Sequence, residues 1–121
     1  MRRQSISVAT IVALSVLVPS GASAEPTIRN FENGNRLLEV CDRPEAEREF
    51  CRGYVAGVMD ALAQVSADTG MPPFVCRPQG LVPSQIADVA VNYIKAHPET
   101  RHTGAAGLVI NAAAAAFPCK T

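Results

Sequence analysis

Past Val18 this 121-residue chain has no apolar run that could cross a bilayer. Even the run it does have, Ile6 to Val18, is about 13 residues against the roughly 20 that a spanning helix needs, so no helical anchor is expected. Clusters of Lys and Arg are missing too: 11 basic residues are spread among 11 acidic ones, which excludes a nucleic-acid binder that relies on a basic face. No two cysteines stand two to four apart, and His97 and His102 are far in sequence from any cysteine pair they could join, so a zinc site is not expected. Strand-like alternation of useful length is absent as well. A hydrolytic enzyme needs a nucleophile with its base, a carboxylate pair or a metal-ligand set, and none is evident. The chain reads as non-catalytic, with no cofactor and no metal.

An export signal opens the chain. Arg2 and Arg3 form a basic start, Ile6 to Val18 an apolar run, and Ala22-Ser23-Ala24 a small-residue cleavage site. Together they predict a secretory signal peptide over residues 1 to 24 and a mature N-terminus at Glu25. Glu25 is not the lipid-bearing cysteine of a lipoprotein, and the Arg pair lies too near Met1 to argue for twin-arginine export. Loss of Arg2 and Arg3 leaves nine basic residues against 11 acidic ones, a net charge of −2. Residues 25 to 121 are enough for one domain, and at this size only about 65% of the unfolded surface can be buried. Staples would help. The four cysteines, Cys41, Cys51, Cys76 and Cys119, are an even number in a small exported chain and are most simply two disulfides.

The pattern predicts a small all-α bundle of about four helices. The first starts near Asn33 or Asn35, either of which can cap it, and runs through Leu37, Leu38 and Val40 to about Cys41. Pro44 ends that segment and suits the first turn of the next helix. Glu45 to about Ala67 is the strongest helix, the expected spine of the fold, with Phe50, Tyr54, Val58, Ala61, Leu62 and Val65 at three- and four-residue spacing. Gly53, Gly57 and Ala61 form a stripe of small residues on one side, which predicts close approach by another helix. Asp68 to Phe74 reads as a loop in which Met71 and Phe74 flank rigid prolines; folding back on the core is the preferred reading, partner contact the alternative. Pro83 opens a third helix whose face is Ile86, Val89, Ala90, Tyr93, Ile94 and His97, stopped by Pro98. Thr103 is the expected cap of a fourth, from Gly104 to about Phe117. If the helices form two hairpins, Cys41 lies beside Cys51 and Cys76 beside Cys119.

A longer pattern runs through these elements. Phe50-Cys51-Arg52-Gly53-Tyr54-Val55-Ala56-Gly57 is followed by Asp60, then Cys76-Arg77-Pro78-Gln79-Gly80, Gln85, Tyr93 with His97-Pro98, and a closing Phe117-Pro118-Cys119. This resembles the Rap/Tai immunity proteins, exported antidotes to type VI secretion amidase effectors, over residues 33 to 119. One departure is Val82, where a capping Thr or Ser is expected. The resemblance implies a periplasmic, disulfide-bonded all-α protein, commonly a homodimer, that occludes the active site of a peptidoglycan amidase. Among the remaining residues, Asp60 is read as a solvated or helix-end position, Tyr54 and Tyr93 as core rings with bonded hydroxyls, and His97 as a helix-end residue. The loop residues Thr69, Met71 and Phe74 are the candidate partner contacts. A different class of function, a periplasmic acid-stress chaperone, is the alternative, although few histidines are present to switch it.

Overall fold

The structure, a computed structural model, describes Gly21 and residues 29–120. The signal peptide, Gly21 apart, and its cleavage point lie outside the described residues. Four α-helices follow in order: α1, Gly34–Cys41; α2, Glu49–Thr69; α3, Pro83–Ala96; and α4, Ala105–Ala116. Short 3₁₀ turns at Glu45–Glu47 and Pro98–Thr100 precede α2 and follow α3. Among the described residues the only strand-type pairing is one antiparallel bridge, Asn33 with Gly104.

The caps explain the boundaries. Asn33 is extended and its side-chain oxygen accepts from the Arg36 N–H at 3.0 Å, so α1 starts where a capping asparagine was expected. Gly34 follows because a Cβ there would lie 2.4 Å from the Leu108 side chain and 2.8 Å from the Arg101 carbonyl. The chain beyond Pro44 does not enter one continuous helix. It makes a 3₁₀ turn and restarts after Arg48, whose guanidinium turns inward to Asp88 on α3. At its far end α2 stops at Gly70, left-handed with φ 69°, whose N–H returns to the Ser66 carbonyl. Helix α3 starts on Val82 and Pro83; Val82 has no oxygen to cap with, and the Gln85 side chain accepts from the Val82 N–H at 3.1 Å instead. The Arg101 guanidinium closes the other end by donating to the Ile94 and Lys95 carbonyls at 2.9 and 2.8 Å. Gly104, not Thr103, caps α4, because the Thr103 hydroxyl donates to the Thr100 carbonyl.

The spine of the bundle is α3, a correction to the expectation that the longest helix would serve. Every helix touches the other three, but α3 does so most extensively, and it buries Ile86, Ala87, Ala90, Val91 and Ile94. In α4 Ala105, Leu108, Val109, Ala112 and Ala113 go inside with it, while 21-residue α2 buries only Cys51, Val55 and Met59. Cys41 bonds to Cys51 and Cys76 to Cys119, the pairing that the two-hairpin layout predicted. The first disulfide ties the end of α1 to the start of α2. The second ties the loop before α3 to the segment after α4. An ion pair at 2.8 Å between Lys95 and Asp42 adds a surface link from α3 to the end of α1.

Candidate functional site

Two surfaces border α2 and meet at Leu62, which lines both. At the first the chain after Gly70 runs back along the last turns of the helix. The Thr69 hydroxyl donates to the Val65 carbonyl at 2.6 Å and accepts from the Met71 N–H at 3.3 Å, which fixes the start of the loop. Pro72 and Pro73 stiffen its middle. Val75 is buried, the Cys76 N–H donates to the Phe117 carbonyl at 3.0 Å, and the Cys76–Cys119 bond fastens the far end. Met71 and Phe74 do not fold back on the core: they are 46% and 60% exposed. The reason is geometric, since a loop pinned at Thr69 and Cys76 with two prolines between has no slack to turn both side chains inward.

Arg77 carries this surface round to the N-terminus of α3. It borders two small hollows, one of about 110 Å³ with Met59, Ala63 and Phe74, the other of about 180 Å³ with Asp60, Val82 and Ile86. Asp60 and Arg77 form no ion pair among the described residues, and Val82 is 48% exposed. The result is a rigid rim of apolar side chains, Met71, Phe74 and Val82, beside one cation and one anion. Arg77 and Val82 were not singled out from the sequence as contact residues. Their signals were present but weak: an arginine held between a disulfide and a proline, and a valine in a capping position.

The second surface is a shallow apolar groove of about 510 Å³ shared with α4. Gly53, Gly57, Ala61 and Val65 line it along α2, with Ala106 and Ile110 opposite. Here the structure corrects the reading of the helix. Phe50, Ala61 and Val65, expected in the core, are exposed, and Tyr54, Val58 and Leu62 are only half-buried. Nor does any described residue approach the two glycines. A Cβ built at Gly53 or Gly57 meets no atom within 4 Å. Tyr54 sits at the groove's edge, its hydroxyl pKa raised by burial and then by the charge of Glu32, against the pull of an Ala106 backbone hydrogen bond.

Other sequence candidates have structural places. Tyr93 stacks on His97 with centroids 4.1 Å apart, and His97 Nδ1–H donates to the Tyr93 carbonyl at 2.7 Å, which fastens the end of α3. Gln85 serves the α3 start, and Pro118 is an exposed residue in the segment that brings Cys119 to Cys76. Among the described residues no group of three or more His, Cys, Asp and Glu side chains comes together as a metal site would require. No helix among them is long and apolar enough to cross a membrane.

The family model of the Rap1a immunity proteins matches residues 33–119. The chain belongs to that family. The match starts at the α1 cap and ends at the last disulfide cysteine, so it takes in all four helices and both bonds. Comparison with curated proteins and with solved structures found no match. Membership in the Rap1a family implies an immunity protein for a secreted effector, and with it a protein partner.

Proposed function

We propose that this Rap1a-family chain is exported to the periplasm by residues 1 to 24 and there neutralises a type VI secretion peptidoglycan amidase by binding it, contributing no chemistry of its own. The family match over residues 33–119 carries the reading. The resemblance of the Cys-Arg-Gly-Tyr and Phe-Pro-Cys segments to amidase-directed immunity proteins supplies the class of effector. The surface best suited to the effector is the loop rim of Met71, Phe74 and Val82 with Arg77 and Asp60. It is apolar at its centre and charged at its edge, and it is held rigid before binding, so little conformational entropy is lost on association. We also propose that the protein self-associates, as the resemblance implies.

The test is co-expression with the amidase encoded beside it, directed to the periplasm, with lysis followed over time. The expected result is survival. Lysis despite abundant, folded protein overturns the immunity reading and favours a chaperone role.

A further inference from the structure

The two disulfides meet solvent differently. Cys41 and Cys51 are 2% and 0% exposed and belong to the hydrophobic core. Cys76 is exposed and Cys119 half-buried, with exposed Arg77 and Pro118 beside them. A disulfide opens when a thiolate reaches one of its sulfurs, so burial shields the first bond and leaves the second open to attack.

The surrounding charges point the same way. Arg77 follows Cys76 and Lys120 follows Cys119. Cations there favour the approach of a thiolate and stabilise the thiolate that leaves. At the buried bond the flanking charges are already engaged, Asp42 with Lys95 and Arg52 with Glu45 and Glu49. Within the exposed pair, Cys119 Sγ lies 3.4 Å from the Pro73 carbonyl, so the loop screens that sulfur and the Cys76 sulfur is the more open target.

This bond also governs the loop rim. The segment runs between Gly70 and Gly80, both left-handed, with φ 69° and 79°. Beyond its start at Thr69 it is held by the burial of Val75, by the hydrogen bond from the Cys76 N–H to the Phe117 carbonyl, and by the disulfide. The core of α3 and α4 and the Cys41–Cys51 bond lie elsewhere in the fold.

We propose that Cys76–Cys119 is a thiol-exchange site, which a dithiol reductant opens in the otherwise folded protein, and that its opening releases the Met71 and Phe74 rim. One thiolate of the reductant attacks Cys76 Sγ, the S–S bond breaks, and its electron pair leaves on Cys119 Sγ, which takes a proton from solvent. The second thiol of the reductant then attacks the mixed disulfide and frees Cys76. The protein gains two electrons and two protons, and the dithiol becomes a disulfide. The consequence for effector binding rests on the rim being the effector contact, as proposed above; the exchange itself does not.

The experiment exposes the full mature chain to dithiothreitol, quenches samples with iodoacetamide over time, and maps the alkylated cysteines by mass spectrometry. Cys76 and Cys119 are expected to be alkylated on the order of a hundredfold faster than Cys41 and Cys51, with helical circular dichroism retained and a rate insensitive to sub-denaturing urea. Chymotrypsin is expected to cut after Phe74 in the opened form and to spare it in the oxidised one. Affinity for the amidase encoded beside the chain is expected to fall roughly tenfold or more on opening, because a loosened rim must be ordered again to bind. Simultaneous loss of both disulfides, or opening only as the helices melt, overturns the exchange site. Selective opening with Phe74 still resistant overturns release of the rim, and equal affinity in the two forms overturns its control of binding. Oxidised protein that fails to bind the amidase overturns the immunity reading and leaves the exchange site standing.

Discussion

Among the described residues Arg48 is the one charged side chain that the fold takes inside, at 8% exposure, and its partners are incomplete. Nη1 donates to Asp88 at 2.9 Å and to Glu45 at 3.3 Å, while Nε and Nη2 are buried without a hydrogen-bond partner among the described residues. Both carboxylates are 64% exposed, so solvent screens their attraction and the guanidinium carries most of the desolvation cost. Replacement of Arg48 by Met, similar in length and free of donors, is therefore expected to be neutral or stabilising in urea denaturation. Asp88→Ala, which leaves the buried charge with one weak partner, is expected to cost about 1 to 2 kcal/mol. Tyr54 gives a pH-dependent counterpart. Because burial and Glu32 raise its pKa above the usual 10.0, the folded state holds the phenolic proton more tightly than the unfolded chain does. That contribution is fully present below the ordinary tyrosine pKa and is lost as pH rises through it and beyond. Absorbance titration is expected to show Tyr54 ionising above the ordinary value, and Tyr54→Phe to flatten the alkaline fall in stability.

At the scale of the element, each boundary is set by one side chain finding or failing to find a backbone group. Helix α3 is the instructive case. Its capping position holds Val82, so only the Gln85 half of a capping box is made. Val82 is extended and half-exposed, a backbone that Thr adopts equally well. Val82→Thr is expected to add the missing bond to a first-turn N–H and raise stability by about 1 kcal/mol, read as a shift in the urea midpoint at constant slope. The same physics explains why α2 starts at Glu49 and not Glu45: a carboxylate-rich start favours a helix, but inward rotation of Arg48 toward α3 breaks the backbone at that residue.

In the whole molecule the two disulfides do different work. Cys41–Cys51 closes a separation of 10 residues and joins elements that already adjoin. Cys76–Cys119 closes 43 and fastens the loop rim to the end of the bundle. On the chain-entropy account they are worth about 3 and about 4 kcal/mol. Paired alanine replacement at Cys76 and Cys119 is expected to lower stability by more than replacement at Cys41 and Cys51, and to weaken protection beyond the loss of folded protein because the rim loosens. Measured denaturation curves alongside the lysis assay separate the two effects. Met71→Ala with Phe74→Ala is expected to reduce protection while mass and melting temperature hold, since both side chains already face water. Retained protection in that variant would move the effector contact away from the loop.

The sequence by itself determined the helix count, an asparagine start for α1 at Asn33 or Asn35, and the opening of α3 at Pro83; the disulfide pairing it gave only on the condition of a two-hairpin layout. These follow from local rules, in which spacing, proline geometry and side-chain oxygens act within one or two turns. It also marked Asp68 to Phe74 as a loop, although α2 runs on through Asp68 and Thr69 and the loop begins only at Gly70. Only the tertiary structure decided which helix is central and which apolar face of α2 is inside. Periodicity shows that Phe50, Tyr54, Val58, Ala61 and Val65 share a side of the helix, and it is silent on which neighbour that side meets. Cys51, Val55 and Met59 form the competing stripe, and they go into the core because the Cys41–Cys51 bond and the packing of α2 on α3 hold that side of the helix against α1 and α3. The larger apolar stripe is left at the surface. Which face is buried depends on contacts between residues far apart in the chain, and no local pattern carries that information.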